Sequence, residues 1–64
     1  MPYQVQKLLK KDGAESWKSV EQFESLEDCE AYYWEYQADM PVHEAQETQG
    51  TIQAIRIAMD IDLV

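Results

Sequence analysis

The chain has 64 residues, 45% of them hydrophobic and 11% aromatic, and its formal net charge is −8 at pH 7. One domain, 1–64, is all that this length accommodates, and the apolar and aromatic content argues against disorder. The acidity excludes direct binding of nucleic acid or an anionic membrane, no apolar run approaches the roughly 20 residues of a membrane span, and the N-terminal MPYQVQKLLKK lacks a signal-peptide core, so a cytoplasmic protein is expected.

The charge is unevenly placed. Residues 1–18 hold Lys7, Lys10, Lys11 and Lys18 against Asp12 and Glu15, whereas from Ser19 onward eleven carboxylates face Arg56 alone. Such a field steers the chain towards basic partners, although acids on small domains also serve solubility alone.

In chain order, Tyr3 to Lys10 reads as a strand. Leu8 and Leu9 break its alternation and point to a bulge or to partial cover on both faces. Asp12-Gly13 is a hairpin turn signal, because glycine adopts positive φ without steric cost. Ser16 to Phe23 forms the second strand, with Trp17 and Val20 on opposite parities, which leaves its register open.

Residues 23–40, FESLEDCEAYYWEYQADM, carry the helical pattern. At about 100° per residue, Leu26, Cys29, Tyr33, Tyr36 and Met40 fall on one stripe with Tyr32 at its margin, the spacing of a core-facing helix. Ser25 stands at the N-cap, and Glu27 and Asp28 place negative charge at the positive end of the helix dipole. Pro41 ends or kinks the helix near Met40. Cys29, the one cysteine, reads as a small buried apolar residue and fits a reducing compartment.

Trp34 lies well off this stripe, beside Ala31 and Ala38. Glu27 and Glu30 flank it, and Glu35 and Asp39 stand further round. An indole over two alanines, rimmed by carboxylates, is a candidate contact patch; the competing reading packs Trp34 under the 41–50 loop or on the sheet edge.

PVHEAQETQG is polar, compatible with one or two irregular helical turns, and closed by Gly50. His43 near Glu44 and Glu47 lacks a second histidine and reads as a solvated loop residue, so no metal site is expected. Thr51 to Asp62 is the clearest strand. Ile55, Ile57, Met59 and Ile61 share the face expected to cover the helix; Ile52, Ala54, Arg56, Ala58 and Asp60 lie on the other. That second face carries little charge, and Ala54, Arg56 and Ala58 are the candidate interface of a homodimer, with a merely bland outer face as the competing reading.

The elements assemble as an α+β fold of β-hairpin, one helix and third strand (ββαβ). The expected sheet has three antiparallel strands in the order 2-1-3, with the helix across one face. Enzymatic function is not expected. There is no Gly-rich phosphate cradle, the single histidine sits in a polar segment, and the chain is too short to build a cleft around paired carboxylates. No cofactor is implied. Acids rather than lysines interleave the aromatics, which also argues against nucleic-acid binding.

A protein-binding module remains, in which carboxylates replace the phosphates of a nucleic acid in a basic groove, the logic of a DNA mimic. The order VQKLLKKDG, SLEDCEAYY and AIRIAMDI resembles the short uracil-DNA glycosylase inhibitors of small Bacillus phages. That resemblance implies a dimer of hairpin, helix and strand, with an acidic and an aromatic helix residue facing the enzyme, at positions Glu30 and Tyr33 of this chain. Cys29 stands where that family resembles an aromatic position, and the loop from Pro41 to Gly50 is longer than the family's. The helical period buries Tyr33, whereas the resemblance exposes it. Small phage inhibitors of CRISPR effectors are analogous in size and charge. The expected function is therefore an acidic, phage-type inhibitor of a nucleic-acid-handling host enzyme; the alternative is a non-catalytic homodimeric structural or adaptor domain.

Overall fold

The computed structural model describes residues 2–59. β1 (Tyr3–Lys11) and β2 (Ala14–Phe23) form the hairpin, α1 (Leu26–Ala38) and α2 (Met40–Gln46) follow, and β3 (Thr51–Met59) completes the chain of elements. The sheet is three-stranded in the order β2-β1-β3, and β1 pairs antiparallel with both neighbours. This is the α+β architecture expected, with a second helix where one was anticipated. Asp60, Ile61 and Asp62, assigned to the last strand by sequence, lie outside the described residues.

Local chemistry accounts for each boundary. Asp12 at φ 55° and Gly13 at φ 83° give the two positive values that a type I′ turn needs, and Lys11 opposes Ala14 across it. Ser25 is extended, and its hydroxyl accepts from the Asp28 amide at 3.2 Å, closing the start of α1 with Glu27 and Asp28 in the first turn. Asp39 caps α1, its amide donating to the Glu35 carbonyl at 3.1 Å, and also begins α2. Pro41 therefore opens a second helix as well as ending the first. In an opening turn its missing N–H costs nothing.

Two bulges set the faces of the sheet. Val5 opposes Glu21 while Gln6 opposes Ser19, so Val20 is the extra residue of β2. Leu8 opposes Ala54 while Leu9 opposes Ile52, so Gln53 is the extra residue of β3. The second bulge overturns the expected placement of Ile52. It crosses from the outer face to the side of Leu9 and is only 6% exposed.

Val5, Leu9, Cys29, Tyr36 and Ile52 form the buried core. α1 contacts all three strands, and its Tyr32 ring lies 5.3 Å from that of Phe23 at the end of β2. Of the expected core stripe, Cys29 and Tyr36 are buried, Tyr33 and Met40 are half-buried, and Leu26 is exposed.

Candidate functional site

The solvent side of α1 carries Trp34, 64% exposed. The indole meets the half-buried Tyr33 edge-on, with ring centroids 5.2 Å apart and planes at 79°. Tyr33 is thus half-buried, less covered than the helical period predicts. Glu27, Glu30, Ala31 and Ala38 are exposed on the same sector of the helix, since steps of three, four and seven residues return to one face.

Glu35 and Asp39 are exposed too, but they stand elsewhere. Together with Tyr32, Tyr36 and His43 they border a separate shallow depression of about 150 Å³. In it the imidazole of His43 stacks on Tyr36, with centroids 3.8 Å apart and planes 6° from parallel. This corrects the solvated-loop reading of His43: the ring is half-buried on α2 and joins that helix to α1. Burial pushes the phenols of Tyr32 and Tyr36 above the ordinary tyrosine value, so both are neutral hydrogen-bonding groups near neutral pH.

Among the described residues none of the carboxylates on α1 has a basic partner. Residues 19–55 contain no lysine or arginine, and the one ion pair among the described residues, Lys7 with Glu47, lies away from that helix. Like-charged neighbours such as Glu27 with Glu30 and Glu35 with Asp39 each cost a helix about 0.2–0.5 kcal/mol. The helix therefore presents uncompensated negative charge around an exposed apolar ring.

On the other side of the sheet from Val5 and Leu9, the register aligns Ala54 with Leu8, Arg56 with Gln6, and Ala58 with Gln4. The three candidate interface residues do share a face. Leu8 also opposes Trp17 on β2, which sequence left in an uncertain register. The Arg56 guanidinium lies 3.9 Å from the centroid of the Trp17 ring and donates from Nε to the Gln6 side-chain carbonyl at 2.8 Å. Trp17, Leu8 and Gln6 thus belong to this surface, and only the Val20 bulge, invisible to a strict two-residue period, hid Trp17.

Cys29 is fully buried. Desolvation first, and the nearby Glu30 charge second, raise its thiol above the ordinary value, which removes thiolate reactivity. Among the described residues no group of three histidine, cysteine, aspartate or glutamate side chains is placed to hold a metal ion, and no helix is long and apolar enough to cross a membrane. Comparison of the chain with family models, curated proteins and solved structures gives no match. The resemblance to the glycosylase inhibitors rests on the short segments that carry it.

Proposed function

We propose that the protein is a small, non-catalytic inhibitor that binds the basic nucleic-acid-binding surface of a host enzyme, such as a uracil-DNA glycosylase or a CRISPR effector, by charge mimicry. The observation that carries this reading is Trp34, exposed beside Glu27 and Glu30 on a helix whose carboxylates pair with no cation among the described residues. Carboxylates supply long-range attraction to lysines and arginines, and the indole with the edge of Tyr33 supplies the desolvated contact that outlasts it. Glu35 and Asp39, which border the depression beside Tyr36 and His43, extend the negative field. Inhibition of purified bacterial uracil-DNA glycosylase and of a Cas9-type effector tests the proposal. Inhibition that weakens with salt and is lost in Trp34→Ala and Glu30→Lys supports it. Activity of both enzymes unchanged by excess protein at low salt counts against these targets, and salt-independent inhibition counts against charge mimicry.

The open face of the sheet favours a second reading, a homodimeric adaptor joined through Ala54, Arg56 and Ala58. Leu8 and Trp17 give that face an apolar centre, and the Arg56 guanidinium lies over the indole. Sedimentation of wild type and Ala54→Asp separates the cases. A dimer dissociated by the new charge supports the interface; the same monomeric mass in both removes it.

A further inference from the structure

A groove of about 480 Å³ opens beside the hairpin, well within the size range of small-molecule sites. Lys7, Lys11 and Lys18 line it, with Ser16, Ser19 and the Glu47–Gln49 segment at its sides and Leu9 in its floor. It concentrates positive charge in a chain that is otherwise strongly acidic.

The register makes this concentration costly. Lys18 stands directly opposite Lys7 on neighbouring strands, and like charges so placed destabilise a sheet. Glu47 answers only one of them. Its carboxylate accepts from the Lys7 ammonium and, through its other oxygen, from the Gln49 amide at 3.0 Å. Among the described residues Lys11 and Lys18 have no acidic partner, and Glu47 is the only acid in the lining.

The other polar lining groups, the Ser16 and Ser19 hydroxyls and the Gln49 side-chain carboxamide, are hydrogen-bond donors to an anion. Lys11 lies four residues beyond Lys7 on the same strand face, about 13 Å at the rise of a strand, a span that flexible lysine stems close over a ligand larger than one phosphate. The surrounding acidic field repels a long polyanion and admits a compact one.

We propose that this groove is a binding site for a small molecule carrying two linked phosphates, held between Lys11 and Lys18 with the Ser16 hydroxyl donating. The site is independent of the Trp34 patch and of the inhibitor reading. Amide shifts of ¹⁵N-labelled protein, titrated with pyrophosphate at constant ionic strength, test it. Saturable shifts are expected at Lys11, Ser16, Lys18 and Gln49. Loss of one charge-assisted contact in Lys18→Ala or Lys11→Ala weakens binding by about tenfold or more, while Lys10→Ala, whose side chain lies on the other face, leaves it unchanged. Shifts that never saturate, that chloride reproduces, that centre elsewhere, or that survive Lys18→Ala in a folded protein overturn the proposal.

Discussion

The imidazole of His43 lies flat on the phenol of Tyr36, 3.8 Å between centroids and 6° from parallel, although the two residues sit on different helices. Tyr36 is a core residue and α2 buries none of its own, so this stack is the main aromatic link between α2 and the rest of the molecule. His43→Ala is expected to lower stability by about 0.5–1.5 kcal/mol, the worth of an aromatic pair. Urea unfolding followed by far-UV circular dichroism measures it. Loss of only the α2 contribution before the main transition would locate the effect.

The Lys7–Glu47 pair makes a pH prediction. The hydrogen bond from Lys7, and next that from the Gln49 amide, hold the Glu47 carboxyl below the ordinary glutamate value. A carboxylate depressed in the folded state stabilises at pH values above its unfolded pKa, about 4.3, and that stability disappears as pH falls through the lower folded value. The difference in melting temperature between wild type and Glu47→Gln is therefore expected to be constant near neutrality and to shrink below about pH 4. A difference that grows on acidification would contradict the assignment.

Gly50 and Gly13 should respond differently to alanine. At Gly50, φ is +146° and an added Cβ would lie 2.7 Å from the Lys10 carbonyl oxygen; at Gly13, φ is +83° and the space is open. Gly13→Ala pays only for the left-handed backbone, about 1–2 kcal/mol. Gly50→Ala adds a backbone clash in the loop that leads into β3, so its unfolding midpoint should fall further.

Ser25→Ala removes the hydroxyl that satisfies the Asp28 amide, and a loss of about 0.5–2 kcal/mol is expected from chemical denaturation. Trp34→Ala, on an exposed side chain, should stay within about 0.5 kcal/mol of wild type. A large destabilisation by Trp34→Ala would assign the indole to packing rather than recognition.

Cys29 gives a direct probe of opening. Buried, and with its thiol raised by desolvation and then by Glu30, it should react with a disulfide reagent only as fast as the core opens, and at once in denaturant. Rapid modification of the native protein would place the thiol at the surface.

Those elements whose signals are local were legible in the sequence. The Asp12-Gly13 turn, the Ser25 cap and the three strands each follow from residues within one turn or one strand, whereas the exposure of Trp34, which sequence leaves open between solvent and cover by the 41–50 segment, is given by the structure. What escaped depended on distant pairing. The bulge at Gln53 exists only against Leu8 and Leu9, so strict alternation along β3 turns Ile52 outward; the bulge at Val20 conceals the side taken by Trp17. Pro41 reads equally as a stop and as the first turn of a helix, and Asp39 decides between them by serving both. The Lys7, Lys11 and Lys18 groove becomes a site only where the Glu47–Gln49 segment passes the hairpin, which no spacing along the chain encodes.

The strand order β2-β1-β3 also dictates how the molecule is made. β1 is synthesised first and finds β2 at once through a tight turn, yet its second neighbour begins only at Thr51, after both helices. Closing that long loop costs entropy before any contact repays it, so the β1–β3 ladder is expected to limit the folding rate. Until β3 arrives, one side of β1 is an unpaired edge bearing Leu8 and Leu9, the segment most exposed to aggregation during synthesis.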